Sequence, residues 1–375
     1  MPLYLNEEQT MLADTTKDFV GENASVKHLR ELRDSNNPDG FSRDLWKQFA
    51  EMGFTGILIG EDDGGLGLGH VEAGVVLEEI GRNLTPSPFL STAVAAVEAL
   101  KGSARRERWF PGILSGETVA AIAIDEKAKH GTGIAMRAER SGNGFKLSGS
   151  KQFVGHGHVA DLILVAARTA GSANDEDGIT MFAVPKDAAG MTAEAERLAD
   201  SSLAARMTFD GVEVDADAVI GDVDRGSVAL KSLLAAGRTG ASAGMLGVGA
   251  GAMGLTVEYL KERKQFGTRI GSFQALQHRA AHLYCEMEVA RAAVLKAQQL
   301  LDAGSQAADH AVSIAKAMTG LATTLAVQEG IQMHGGIGMT DEYDIGFYMK
   351  RARVLAELFG DANYHANLLA EAAGY

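Results

Sequence analysis

The chain has 375 residues, 46% of them hydrophobic and 22% charged, enough for two or three domains around buried cores of ordinary globular composition. With 49 acidic against 35 basic side chains its formal charge is −14, which argues against nucleic acid or an anionic membrane as a default partner. The single cysteine, Cys285, permits no intrachain disulfide and fits a reducing compartment; its mid-helix setting in LYCEMEVA suggests a buried structural thiol. The opening MPLYLNEEQTML lacks the basic start and apolar run of a signal peptide, and no stretch reads as a span of ~20 apolar residues, so a soluble cytoplasmic protein is expected.

Residues 1–116 read as mainly helical. Asn6 with Gln9 forms a capping-box pattern ahead of an apolar face begun by Leu12, Phe19 and Val20. Ser42 is placed to cap a helix carrying Leu45, Trp46, Phe49 and Met52, which Gly53 stops. FTGILIGEDDGGLGLGH reads as a short extended piece and a glycine-rich loop; without a P-loop Lys-Ser/Thr, tight turns are the better reading. Two helical patterns follow, split by TPSPF. Over 117–222 the period shortens: AAIAIDE, GFKLSGSKQFV, DLILVAAR, ITMFAVP and ARMTFDGVEV predict strands of a compact β-sandwich or barrel. From 223 to 375 the pattern is helical again, with long segments over 227–263, 272–303, 308–333 and 343–372, which implies a four-helix bundle. The fold class is thus α+β, mainly α.

The stretch from Tyr259 to His278, YLKERKQFGTRIGSFQALQH, stands out. It predicts a helix end carrying Arg263, Lys264 and Gln265, a turn at Gly267 and Gly271, and a new helix capped by Ser272, with Phe273 and Gln274 on its first turn. A cation, helix-start N–H groups, an amide and an aromatic ring suit a phosphate-bearing aromatic cofactor; they suit a solvated basic turn equally well. His278, His282 and Glu286 share a helix face at metal-ligand spacing, but no metal is expected. His156 and His158 read as a solvated pair.

YLKERKQFGTRIGSFQALQH resembles the R-x-Q-F-G…F-Q…Q-H signature of the acyl-CoA dehydrogenase family, and QMHGGIGMTDEY (Gln332 to Tyr343) resembles its Q-x-x-G-G-x-G-x-x-x-E signature. The resemblance runs through nearly the whole chain. It implies a β domain between two helical ones, FAD at a subunit interface of a tetramer, an acyl-CoA substrate and electron-transfer flavoprotein as acceptor. Arg263, Gln265, Phe266, Phe273 and Gln274 would hold FAD from one chain, and Gln332, His334, Gly335 and Gly336 from its neighbour. Phe153 and Asp361 would also contact flavin, and Arg238 matches an arginine facing the substrate.

In that family a carboxylate removes the α proton of the thioester while flavin N5 accepts the β hydride. Here the resemblance breaks. The positions that carry the glutamate in family members are Phe359 and Gly237, and neither side chain can accept a proton. The T-E-P-x-x-G-S-D loop pattern appears as AIDEKAKH (123–130), and in K-x-[W/F]-I-[T/S] Lys151 and Phe153 remain while Gly155 replaces the hydroxyl residue. These departures suggest a subunit whose sister chain supplies the base, acting on a fatty-acyl or steroid-derived thioester. One alternative is a self-sufficient homo-oligomer using Asp361 or Glu357, although helical geometry would turn both about 200° from position 359. A flavin-dependent monooxygenase of the same fold is another.

Overall fold

The computed structural model describes residues 2–375 apart from Lys129 and Thr132. Helix α1 (Glu7–Asn23) begins at the capping box: Asn6 Oδ1 accepts the Gln9 N–H at 2.8 Å, and Gln9 Oε1 accepts the Asn6 N–H at 3.0 Å. Helix α2 (Val26–Asp34) buries only Leu29, the middle of a short apolar stripe of Val26, Leu29 and Leu32. Ser42 caps α3 (Arg43–Glu51) through the Leu45 N–H. FTGILIG, expected to be extended, is instead a 3₁₀ turn (Phe54–Gly56) and a tight loop in which Gly65 lies against the Ile59 backbone, where a Cβ would collide. Then come α4 (His70–Arg82), a π turn (Leu90–Ala96) running into α5 (Val97–Lys101), and α6 (Arg106–Leu114).

The strands are β1 (Ala120–Ala123), β2 (Arg137–Ser141), β3 (Gly144–Gly155), β4 (Leu162–Arg168), β5 (Ile179–Pro185), β6 (Met191–Arg197), β7 (Leu203–Val214) and β8 (Val219–Ile220). After them come α7 (Ser227–Glu262), a hairpin of β9 (Lys264–Gln265) and β10 (Thr268–Arg269), and α8 (Gln274–Asp302). Helices α9 (Ala308–His334), α10 (Ile345–Glu357) and α11 (Ala362–Ala372) complete the chain. The segment 343–372, expected as one helix, is therefore broken at Leu358–Asp361, where Phe359 (φ 61) and Gly360 (φ 107) take left-handed conformations that a helix cannot continue through.

The chain divides into two compact units. One comprises Leu32–Gly69 and Pro86–Gly237. Its centre is a mixed sheet in the order β6-β7-β3-β2-β4-β5-β8, with β1 parallel to β4. All seven residues of β4 are buried, which explains why its sequence is an unbroken apolar run ending in an arginine. That Arg168 guanidinium donates to the carbonyls of Ile134, Ala173, Asp175 and Asp177, so four loop acceptors satisfy one buried cation.

The other unit comprises the chain up to Glu31, His70–Thr85 and Arg238–Tyr375. Its small residues let α4 cross α7 at backbone contact. Cβ atoms at Gly81 and Gly247 would fall on the carbonyl oxygens of Gly244 and Glu78. Tyr348 on α10 closes the crossing, its hydroxyl donating to the Arg82 carbonyl at 2.9 Å. Around it Met245, Val248, Ala252, Val327, Ile345 and Leu355 form a buried cluster. Contrary to the sequence expectation, α7 is long and apolar enough to cross a membrane (mean hydropathy 1.3), but 67% of that window is buried inside the protein, as in a core helix.

Candidate functional site

The Arg263 segment is a corner, and its local chemistry differs from the expectation in two ways. Arg263 lies just past the end of α7, and Lys264 and Gln265 belong to the β9–β10 hairpin rather than to a helix end. Its tip is Phe266–Gly267 with φ of 54° and 79°, the paired positive values that a two-residue hairpin demands. Ser272 does not cap α8: its hydroxyl donates to the Arg269 carbonyl at 2.7 Å, a 3₁₀ turn (Ile270–Ser272) intervenes, and Phe273 takes the N-cap position. The Phe266 ring is 93% exposed and Phe273 37%, and the two meet edge to face at 6.4 Å. Among the described residues the side chains of Arg263, Gln265 and Gln274, all exposed, have no hydrogen-bond or ion-pair partner. Exposed rings beside a cation and two amides without partners fit an aromatic, phosphate-bearing group.

The second signature lies at the end of α9. Gln332 is exposed, and Gly335 (φ 64) and Gly336 make an exposed bend where an added Cβ would meet nothing within 4 Å. His334 faces the other way. Its ring is buried, Nδ1–H donates to the Gly330 carbonyl at 2.6 Å, and it stacks on Tyr259 at 4.4 Å with Tyr343 at 4.8 Å. Its Nε2 is buried with no partner among the described residues. Burial holds this imidazole below its ordinary pKa, against the opposing pull of the Gly330 carbonyl.

The break between α10 and α11 joins Arg238, Asp361 and Glu357 to two groups that the sequence did not flag, Lys316 and His365. The Phe359 carbonyl accepts from Arg238 Nε and faces His365 Nε2, each at 3.2 Å. Lys316, fully buried on α9, donates to the carbonyls of Leu355 (3.2 Å), Ala356 (2.8 Å) and Gly360 (2.8 Å), so its amino group caps the last turn of α10 and the break after it. Burial pushes its pKa down to about 7, with Arg238 adding to the effect and Asp361 and Glu357 opposing it. Asp361 caps α11 by accepting the Tyr364 N–H at 2.7 Å, and Glu357 pairs with Arg353 at 3.0 Å. The helical-angle argument about these two carboxylates does not apply, because Phe359 is outside any helix. A lysine flanked by alanine and isoleucine in SIAKAMTG was the available signal for Lys316.

In the sheet unit, Lys151 is fully buried against Glu126 at 2.8 Å. Glu126 also accepts the N–H groups of Ala135 and Met136; burial alone would raise its pKa, but Lys151 and these donors hold it below the usual range. AIDEKAKH is thereby tied to β3, although Lys129 within it is outside the described residues. Phe153 sits where β3 and β7 shift register, with φ 55 and 47% of its surface exposed; the bulge turns the ring outward. Gly155, where a hydroxyl was sought, faces open space. His156 and His158 are half-buried rather than solvated, His156 edge-on to Phe41 and His158 against the Pro38 carbonyl. Cys285, expected to be buried, is exposed on α8.

Comparison with known proteins gives these arrangements a family. Residues 6–117, 125–212 and 224–374 match the N-terminal, middle and C-terminal domains of acyl-CoA dehydrogenase. Acyl-CoA dehydrogenase IpdE2 of Mycolicibacterium smegmatis is 31% identical, covering 95% of this chain and 96% of its own. A variant of the Tcur3481–Tcur3483 steroid ACAD superposes with a TM-score of 0.88 at 30% identity, covering 98% of this chain and 99% of that one. The ChsE4–ChsE5 complex from Mycobacterium tuberculosis superposes with a TM-score of 0.90 at 25% identity, covering 100% and 99%. The chain belongs to the acyl-CoA dehydrogenase family, FAD-binding flavoproteins that act as oxidoreductases on CH–CH bonds.

Proposed function

We propose that this chain is one subunit of a heteromeric acyl-CoA dehydrogenase, carrying out α,β-dehydrogenation of a CoA thioester with the catalytic base supplied by a sister subunit. The observation that carries this reading is the turn at Phe359. The backbone turn is held by Arg238, His365 and Lys316, yet the side chain it presents is a phenyl ring. At the other position that bears the glutamate in family members, Gly237 is buried and has no side chain. Asp361 and Glu357, the nearest carboxylates in sequence, are engaged as a helix cap and in an ion pair.

Arg263, Gln265, Phe266, Phe273 and Gln274 would hold FAD from one chain, the exposed Gln332–Gly336 bend would approach it from a neighbour, and Phe153 and Asp361 are further candidates for the flavin. When bound, FAD supplies the hydride acceptor. Arg238, held by the Phe359 carbonyl, would orient the substrate. Two of the similar solved structures are two-component proteins by name, one of them a steroid ACAD, which supports a sister chain and a steroid-derived thioester. Electron-transfer flavoprotein is the acceptor this reading implies.

The test is expression with and without the genomic neighbour, followed by bound-flavin measurement and anaerobic bleaching with steroid-derived and fatty acyl-CoA thioesters. Bleaching only by the pair is the expected result. Rapid bleaching by the lone chain would overturn the sister-subunit reading, and Asp361→Asn and Glu357→Gln would then identify the substitute base. Oxygen incorporation with supplied reduced flavin would instead mark a monooxygenase.

A further inference from the structure

His334 belongs to the signature that aligns with the cofactor, yet its ring points into the protein, so whatever it contributes must pass through its neighbours. Tyr259, on the last turn of α7, lies four positions before Arg263, whose backbone N–H donates to the Tyr259 carbonyl at 2.9 Å. Its ring stacks on His334 with an interplanar angle of 29°, and Tyr343 closes on both, 6.0 Å from Tyr259. Gly338 folds the 3₁₀ turn back over His334; a Cβ there would come within 3.1 Å of the His334 Cβ. The three rings therefore join the Arg263 corner to the Gly335–Gly336 bend of the same chain.

We propose that His334 is a positioning residue, the buried member of a Tyr259–His334–Tyr343 ring cluster that fixes the cofactor-facing corner and the diglycine bend relative to each other. The inference rests on the reading that the corner serves one FAD and the bend a neighbour's. In such an oligomer the stack sets the spacing between successive cofactor sites.

The joint requires a neutral imidazole. Nδ1 already donates to Gly330, so a second proton must go on Nε2, which is buried with no hydrogen-bond partner among the described residues. The ionisable groups around the stack are the Tyr259 and Tyr343 hydroxyls, with Glu262 and Asp344 near Tyr343; Asp344 is bound by Arg30 at 2.6 Å. Burial lowers the His334 pKa in the stacked state, so the unstacked state binds the proton more readily. Stacking is then complete above the ordinary imidazole range and weakens as pH falls below it.

The experiment uses the assembled protein, stripped of flavin and titrated with FAD at pH 7.5 and 5.5. Amide exchange over 259–270 and 331–345 is followed in parallel. Wild type should bind FAD more weakly at pH 5.5, with both segments losing protection together. His334→Ala should bind about tenfold more weakly at both pH values, as expected for loss of two ring contacts. His334→Phe should restore affinity at pH 7.5 and abolish the acid-dependent part of the loss. If the two segments exchange independently in wild type, or the Phe variant keeps the wild-type acid profile, the inference is wrong. Failure of wild type to bind FAD at pH 7.5 would instead remove the cofactor reading beneath it.

Discussion

Replacing Gly247 by alanine tests whether the small-residue run in α7 exists to let α4 approach. An added Cβ would fall on the Glu78 carbonyl oxygen and lie 2.7 Å from the Arg82 nitrogen, both rigid backbone atoms of α4. Carbon contacts are comfortable at about 3.5 Å or more, so α4 must retreat by roughly an ångström or more. The retreat is felt beyond the mutated point, because it strains the Tyr348 bond to the Arg82 carbonyl. Overpacking of this kind costs about 1–3 kcal/mol, and alanine returns about 1 kcal/mol through its better helix propensity. With two rigid backbone obstacles the upper end applies, a net loss of about 2 kcal/mol. Gly254, on the same helix, has nothing within 4 Å of its Cβ position, so Gly254→Ala should gain about 1 kcal/mol. Denaturant titration followed by circular dichroism reads both. A Gly247→Ala midpoint equal to or above wild type would refute close α4–α7 packing, and a Gly254→Ala loss would refute the propensity argument.

Lys316 gives a pH signature with a defined sign. Its pKa is about 7 when folded against 10.5 for an ordinary lysine, so between these limits unfolding takes up a proton and stability rises with pH. The slope approaches about 1.4 kcal/mol per pH unit and vanishes below pH 7. Lys316→Met should lack it, so the wild-type minus variant difference in unfolding free energy should grow from pH 7 to 9; a constant difference would contradict the assignment. Asp361→Ala should cost about 1 kcal/mol through loss of the α11 cap, read as faster amide exchange at Tyr364; unchanged exchange would count against the cap. Arg263→Ala should lower the bound-flavin fraction without moving the unfolding midpoint of the flavin-free protein, because the exposed side chain has no partner among the described residues. A shifted midpoint would mean that the arginine serves the fold instead.

Local signals in the sequence worked where the physics was local. The Asn6–Gln9 box, the Ser42 cap and the run of β4 each need only a few neighbouring residues, and all appear as read. Ser272 failed because its hydroxyl turns backward to donate to the Arg269 carbonyl, and no helix N–H is placed for its oxygen to accept. Cys285 failed because a mid-helix position says nothing about which face meets the core. The break at Phe359 was illegible for a different reason. Nothing in ELFGDANYH forbids a continuous helix except one glycine, and the donors that stabilise the turn come from α7, α9 and α11.

That dispersion of donors bears on what the turn is for. Burying an ammonium is costly, and Lys316 is tolerated because three carbonyls receive its protons. Those carbonyls are available only because α10 stops; an uninterrupted helix with an apolar residue at position 316 would need neither the lysine nor the left-handed Phe359. The chain thus retains an arrangement that is expensive in isolation and built from three separate helices. A purely structural element would gain by losing it. Its apex is phenyl, and the carboxylates beside it, Asp361 and Glu357, serve as the α11 cap and as the ion-pair partner of Arg353. What the arrangement does within the chain is hold Arg238 at the Phe359 carbonyl, and the proposed partner-dependent reading gives that contact its purpose: an arginine fixed for a substrate whose base lies elsewhere.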